Sequence, residues 1–450
     1  MQKSNTFFIK IPCFESVFCL TKQHFGCKFN EDISSNLQIS KKKFCIHEPD
    51  CILNSKTIPE AQQYAGMTEG WWKMQFRDLK KQYEALKNDI DSGIAEVIGS
   101  CQFISGPKVK ELENALATYT GRKHCVSCAN GTDALELSLM AWGIGAGDAV
   151  FVPAFTFMST AEVAASLGAT PVWVDIDLTT FNMSPEKLEE AITRVIQEKK
   201  LTPQAVIPVD LFGLPANFPA ILPIAEKYGL KVLEDGAQGF GGEINGKRAC
   251  SFGNASTTSF FPAKPLGCYG DGGAIFTDDD DMAALLRSIA VHGKGREKYE
   301  NIRLGRNSRL DSLQAAILLP KLKAFEEYEV AAVNRAAAEY AARLQDLPVQ
   351  PPAVPEGYLS SWAQYTLLCE NREVRDGLQA ALKAANIPSM IYYPCGLHMQ
   401  KAFEYCRPAE SLPDTEAACG RVLSLPMHPY LETADIDLVC NTIKNFFERN

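Results

Sequence analysis

Lys264 lies in Thr258-Ser259-Phe260-Phe261-Pro262-Ala263-Lys264-Pro265-Leu266-Gly267, with Asp271-Gly272-Gly273 close behind. Upstream, Val232-Leu233-Glu234-Asp235-Gly236-Ala237-Gln238 reads as an apolar strand that ends in an acid. An amine can condense with a carbonyl, and a carboxylate can pair with a protonated ring nitrogen. Pyridoxal phosphate (PLP) chemistry needs both: Lys264 to form the Schiff base and Asp235 to face the pyridinium. A carboxylate buried beside the ring favours the protonated nitrogen and makes the ring an electron sink. Once an amino donor displaces it, the lysine amine can move a proton between the donor Cα and the cofactor C4′. Taken singly, Asp235 reads as a helix cap and Lys264 as a surface loop residue. Phe260, Phe261 and Pro262 argue against full exposure of the lysine.

A cofactor phosphate needs donors. Ala129-Asn130-Gly131-Thr132-Asp133-Ala134-Leu135 precedes an apolar helical stretch. Backbone N–H groups at that helix start, with Gly131 allowing close approach and the Thr132 hydroxyl added, make an anion site. Ser259 offers a second hydroxyl. Gly-Thr before a helix is also an ordinary capping sequence, so its weight comes from its order ahead of Asp235 and Lys264. A ring to stack on the cofactor is expected from Pro153-Ala154-Phe155-Thr156-Phe157-Met158-Ser159-Thr160. Phe157 is the choice, with Phe155 left open and core packing the plain alternative.

The elements that must hold these residues follow from periodicity. Leu79, Tyr83, Leu86, Ile90, Ile94 and Val97 recur at steps of three and four, which predicts an amphipathic helix. From Cys125 onward, buried strands at Val150-Phe151-Val152, Val172-Trp173-Val174, Val206-Ile207 and Lys231-Val232-Leu233 alternate with helices such as 185–197 and 218–228. That alternation implies a mostly parallel α/β sheet, whose ligands gather at the carboxyl ends of its strands. Residues 311–344 look helical and alanine-rich, and Pro348-Val349-Gln350-Pro351-Pro352 breaks the pattern. The expected organisation is a large α/β domain over 74–330 and a smaller α+β domain over 331–450. Residues 1–73 differ: they hold no arginine and five of the fifteen cysteines (Cys13, Cys19, Cys27, Cys45 and Cys51). They read as a poorly ordered extension, with Met67 and Met74 as candidate starts. A zinc site from Cys45, His47 and Cys51 lacks paired CxxC spacing, and no metal is expected.

The 450-residue chain carries a net charge of −9, with 46% hydrophobic and 22% charged residues. This balance speaks against a nucleic-acid or anionic-membrane partner. No apolar run approaches the ~18 residues of a membrane span. Free thiols in a cytoplasmic setting are the simpler reading of the cysteines.

Gly131-Thr132-Asp133-Ala134-Leu135, Val174-Asp175-Ile176-Asp177, Glu234-Asp235-Gly236-Ala237-Gln238, Ser259-Phe260-Phe261-Pro262-Ala263-Lys264 and Gly305-Arg306-Asn307-Ser308-Arg309-Leu310-Asp311 together resemble the DegT/DnrJ/EryC1/StrS sugar aminotransferases. The resemblance runs from about Met74 to the C-terminus. It implies PLP-dependent transferase fold type I (aspartate aminotransferase-like) and a homodimer with shared active sites. It also implies that Lys264 is the Schiff-base lysine, Asp235 the pyridinium partner and Phe157 the stacking ring. Thr132 and Ser259 would hold phosphate, Gln238 would contact the ring hydroxyl side, and Asn307 would reach the phosphate of the neighbouring subunit's cofactor. Family members with histidine in place of the lysine are dehydratases, so Lys264 favours transamination. Gly236 departs from the alanine that relatives often carry.

Phe261-Pro262-Ala263-Lys264-Pro265-Leu266-Gly267-Cys268-Tyr269-Gly270-Asp271-Gly272-Gly273 and Leu423-Ser424-Leu425-Pro426-Met427-His428-Pro429-Tyr430 resemble the subgroup that aminates C3 of a UDP-linked 3-oxo-N-acetylglucosaminuronic acid. Glutamate would be the donor, and the product class feeds surface polysaccharide synthesis. A uronate carboxylate calls for a guanidinium, and Arg309 is the choice, against an interface or helix-start ion pair as its alternative. Tyr393 and His398 are further substrate candidates. In their loop, Cys395-Gly396 replaces the Ile-Pro of relatives. His292 and His428 read as structural or interfacial. Rival readings are a keto-6-deoxyhexose aminotransferase, a non-catalytic regulator that keeps the fold, and a PLP lyase or desulfurase using one of the many cysteines; Cys268 lies near Lys264, but nothing marks it as activated and it reads as a small core or loop thiol.

Overall fold

Short strands, six of them carrying Val, Ile or Phe and one of them the polar run Ala255–Ser259, build a seven-stranded sheet. In spatial order its strands are His124–Cys128, Gly273–Thr277, Ala255–Ser259, Lys231–Asp235, Thr202–Val206, Asp148–Pro153 and Thr170–Val174. Gly273–Thr277 runs antiparallel to both neighbours and the other pairings are parallel, so the expected mostly parallel sheet is found. Alternation sorts the side chains between two cores. Val150 and Val152 pack on one side with Val126, Leu233 and Ile275. Phe151, from the same strand, packs with Val206, Val232 and Phe218 in another cluster. Both faces are thus buried, as a parallel sheet requires.

The structure is a computed structural model that describes residues 74–449 and two short strands, Phe7–Lys10 and Val17–Leu20. The chain divides into two units, Met1–Glu69 and Gly70–Asn450. Within the first, the two strands pair antiparallel, with Phe7 opposite Leu20 and Lys10 opposite Val17. The readings of residues 1–73 as a poorly ordered extension, of Cys45, His47 and Cys51 as zinc ligands and of Met67 as a start lie outside the described residues.

Helices follow the strands where the sequence places caps. Ser184 accepts the Lys187 N–H ahead of Pro185–Glu198, whose first residue is proline; both are helix-start signals. The expected helix at Leu79 runs to Ser100. The helical stretch after Asp311 is Ser312–Ala324, then a five-residue π-helical turn Phe325–Glu329, then Val330–Leu344. Beyond it, Val349–Gln350, Tyr365–Cys369 and Val422–Leu425 form a separate antiparallel sheet. That sheet packs with Met74, Tyr340, Leu378 and Ile443 in its own apolar cluster. Among the described residues, no helix is long and apolar enough to cross a membrane.

Candidate active site

Asp235 is the last residue of its strand and is 4% exposed. Its Oδ2 accepts the Thr160 hydroxyl at 2.9 Å, and its Oδ1 accepts the Ala237 N–H at 3.2 Å. Thr160 is fully buried in the first turn of the helix Ser159–Ser166, which follows Asp148–Pro153, the strand two places along the sheet from that of Asp235. Burial raises the Asp235 carboxyl, while the Lys264 charge and these two hydrogen bonds pull it back down. A cation placed against this carboxylate would complete it.

Lys264 follows the strand Ala255–Ser259, which pairs in parallel with the Asp235 strand. Its own N–H donates to the Phe261 carbonyl at 2.8 Å, a tight turn that carries the side chain. Part of the side chain keeps an open surface, yet desolvation dominates its titration. Burial lowers the amine, the Asp235 carboxylate raises it, and the Arg77 guanidinium lowers it further. The amine is therefore available unprotonated more readily than that of a surface lysine, which suits a base.

The helix Gly131–Ala141 begins beside Ser259. A Cβ on Gly131 would sit 2.6 Å from the Ser259 Cβ, so only glycine lets the helix start approach. Asn130 Oδ1 accepts the Asp133 N–H at 2.8 Å, while helix geometry leaves the Gly131 and Thr132 N–H groups without intrahelical partners. The Gly131 and Thr132 N–H groups thus stand at a positive helix end beside the Ser259 hydroxyl, which would lie 3.2 Å from a Gly131 Cβ.

The two phenylalanines separate by burial. Phe155 is in the core, with its ring near Phe181, Phe212 and Tyr393. Phe157 is 55% exposed and free to cover a ligand. Gln238 is buried; its Oε1 accepts the Phe212 N–H at 2.7 Å and its Nε2 donates to the Tyr393 hydroxyl at 3.3 Å. Tyr393 thereby joins the Asp235 side of the site, and burial raises its phenol. Below the strand ends, Asp210 and Glu234 are both buried, and burial together with Glu234 pushes the Asp210 carboxyl up. At Gly236, an alanine Cβ would lie 2.5 Å from Cys250 Sγ; the sulfur takes that space.

Three expected substrate or cofactor residues stand elsewhere. His398 is 2% exposed with Nε2 3.7 Å from Glu416 Oε1, and no hydrogen bond of its ring nitrogens is found. Burial lowers its titration. Asn307 is exposed and accepts from the Arg309 guanidinium. Arg309 lines a cavity of about 470 Å³ with Lys110, Glu113, Arg287 and Ser308, which neither Lys264 nor Asp235 lines. Ser308, between them, accepts the Ala129 N–H at 3.0 Å and so ties this segment to the approach of the phosphate helix. Spacing along the chain gives no sign of Thr160 as the Asp235 partner or of Arg77 beside Lys264. The only local hint is a hydroxyl in the first turn after a strand.

A carboxylate for a ring nitrogen, an amine for a carbonyl carbon and a glycine-lined helix end for phosphate match the parts of PLP. The fold and site define a fold type I transferase with a lysine amine. The chain belongs to the DegT/DnrJ/EryC1/StrS aminotransferase family, whose model matches residues 84–444. It is 50% identical over 372 residues to the UDP-2-acetamido-2-deoxy-3-oxo-D-glucuronate aminotransferase of Pseudomonas aeruginosa, covering 83% of this chain and 100% of that protein. A crystal structure of a DegT/DnrJ/EryC1/StrS aminotransferase from Brucella abortus is 49% identical with a TM-score of 0.81, covering 83% of this chain and 99% of the other. The structure of S. venezuelae DesV in complex with a ketimine intermediate is 35% identical with a TM-score of 0.79, covering 84% and 99%.

Proposed function

We propose that this chain uses PLP to move an amino group from glutamate to C3 of a UDP-linked 3-oxo-N-acetylglucosaminuronic acid, for surface polysaccharide synthesis. It works as a cytoplasmic homodimer, with residues 74–330 as the cofactor domain and 331–450 as the smaller domain. The observation that carries this reading is the Lys264–Asp235 pair, in a chain that matches the Pseudomonas enzyme through that enzyme's whole length.

Bound PLP supplies a carbonyl for amine exchange and a ring that accepts electron density. Asp235, oriented by Thr160, holds the ring nitrogen protonated. Gly131, Thr132 and Ser259 hold the phosphate, Phe157 covers one ring face, and Gln238 with Tyr393 bounds the ring hydroxyl side. Lys264 would take the proton from Cα of glutamate and give it to the cofactor carbon; the nitrogen would stay on the cofactor, and water would supply the keto oxygen of the departing 2-oxoglutarate. With the keto sugar bound, the same amine moves a proton back and the 3-amino sugar nucleotide leaves. Donor and acceptor use one pocket in turn, so Arg309 can read a carboxylate on each. Asn307 and Arg309 serve the partner subunit's site. Support comes from the exposure of Asn307 and of Phe103, Ile104 and Leu304 on the same stretch of chain and its neighbours.

Side-by-side turnover of the uronate and of keto-6-deoxyhexose nucleotides tests the acceptor. Preference for the uronate is expected; equal or better turnover of the 6-deoxy sugars would overturn it. A regulator that only kept the fold would have no use for a lysine amine lowered by desolvation and facing Asp235.

A further inference from the structure

Behind the Lys264 loop lies a second group of charges that the transfer does not call on. Arg77 Nη2 donates to the Pro265 carbonyl at 3.0 Å. Lys321, fully buried, donates from Nζ to the Gly267 carbonyl at 2.8 Å, and its Nζ lies 4.2 Å from the centre of the Tyr269 ring. Two cations therefore grip the two carbonyls that flank Leu266, within three residues of the reactive lysine. The loop they hold is folded tightly: a Cβ on Gly267 would sit 2.5 Å from the Pro262 carbonyl oxygen. Glu329 supplies the balancing carboxylate. It is 2% exposed, accepts Gln82 Nε2 at 2.9 Å and the Tyr430 hydroxyl at 2.8 Å, and closes the π-helical turn Phe325–Glu329. π-Helical turns recur at functional sites.

Pinning two carbonyls does not need charge. A neutral amide or hydroxyl would do it with less desolvation cost. What a cation adds is a field, and the Arg77 charge acts on the Lys264 amine. The groups facing one another are few. Lys264 faces Asp235 and Arg77; Arg77 faces Glu329, Lys264 and His428; Lys321 faces Glu329, Arg77 and Cys268. Burial brings Arg77 down to about 10 and Lys321 to about 8, with Glu329 opposing both shifts.

We propose that Arg77 and Lys321 are positioning residues for Lys264, acting through the carbonyls of Pro265 and Gly267 and through the positive charge that Arg77 sets beside the amine. This rests on the reading of Lys264 as the reactive amine. Charge and anchoring separate by variant. Arg77→Gln keeps a donor and removes the charge, Arg77→Lys keeps the charge and removes the fork, and Glu329→Gln removes the opposing charge.

The test is acetylation of the full-length chain by acetic anhydride before PLP is added, from pH 6 to 10. Lys264 labelling is read by peptide mass spectrometry against Lys200, whose side chain is 78% exposed. Wild-type Lys264 is expected to become reactive at lower pH than Lys200. Arg77→Gln should move its midpoint up and cut labelling at neutral pH by about threefold or more. Arg77→Lys should stay near wild type, and Glu329→Gln should move the midpoint down. If Arg77→Gln does not fold, the Arg77→Lys and Glu329→Gln results still decide. Shifts of Arg77→Gln and Glu329→Gln in one direction, or a Lys264 midpoint indifferent to Glu329→Gln and to loss of the Arg77 charge, would overturn the inference alone. A wild-type Lys264 that titrates like Lys200 would instead remove the reading of Lys264 on which it rests.

Discussion

The two sides of the site are built differently. On the Asp235 side, the groups that touch the carboxylate or its neighbours are partnered: Thr160 on Oδ2, the Ala237 N–H on Oδ1, and Gln238 bridging Phe212 and Tyr393. On the Asn307–Arg309 side, Asn307 is exposed, Arg309 is half-buried, and Leu304 nearby is 90% exposed. Rigid burial tunes titration, since desolvation is the largest influence on both Asp235 and Lys264. An open flank with exposed apolar neighbours is what a second subunit covers. The groups with shifted titration, Asp235 and Lys264, therefore sit within one chain; under the proposed homodimer, recognition would sit where two chains meet.

The largest effect should come from Lys264→Ala. Removing the amine that moves the proton should lower transamination by about a thousandfold or more while PLP can still bind. Asp235→Asn should lower the rate by about a hundredfold or more, because a neutral amide does not hold the ring nitrogen protonated; single-turnover kinetics with glutamate measure both. The contrast between the two sides is sharpened by mixing chains. Neither Lys264→Ala nor Asn307→Ala alone should be active, but unfolded together and refolded they should regain up to about a quarter of wild-type activity, from hybrid dimers with one intact site. No recovery would place both residues in the same chain's site and break the contrast. Arg309→Ala should raise KM for the uronate substrate about tenfold with a smaller change in kcat, as expected for a lost charge-assisted pair.

The smallest expected effect concerns stability. His428 is buried, and desolvation, with Arg77 next, lowers it to about 4. A histidine held neutral in the fold contributes stability that is complete above its ordinary value near 6.5 and is lost as the pH falls toward 4. His428→Asn should flatten that acid-side loss by at most about 3 kcal/mol, as followed by urea unfolding at pH 7 and pH 4.5.

What the sequence shows and what it hides follow from range. Lys264, Asp235 and the Gly131 helix start are legible because each sits in a short run whose neighbours have a local reason to be there. The parallel strands 148–153 and 231–235 are apolar enough to announce themselves. Ala255–Ser259 is Ala-Ser-Thr-Thr-Ser, buried but polar, so no apolar run marks it. The choice between Phe155 and Phe157 needs the core, which takes Phe155 and leaves Phe157 exposed. Thr160 and Asp235 are 75 residues apart, and Arg77 and Pro265 are 188 apart. Such contacts exist only once the sheet has brought strand ends together. The π-helical turn at Phe325–Glu329 hides for another reason: one extra residue in a turn leaves the helical pattern on each side intact.

The most direct test is the visible absorption spectrum of the wild-type chain loaded with PLP, before and after L-glutamate, beside Lys264→Ala. The account predicts a band from lysine-bound PLP that gives way to pyridoxamine phosphate absorbance in the wild type, and neither the band nor the conversion in the variant. A wild-type protein that forms no lysine-bound band, or a Lys264→Ala protein that converts as the wild type does, would contradict it.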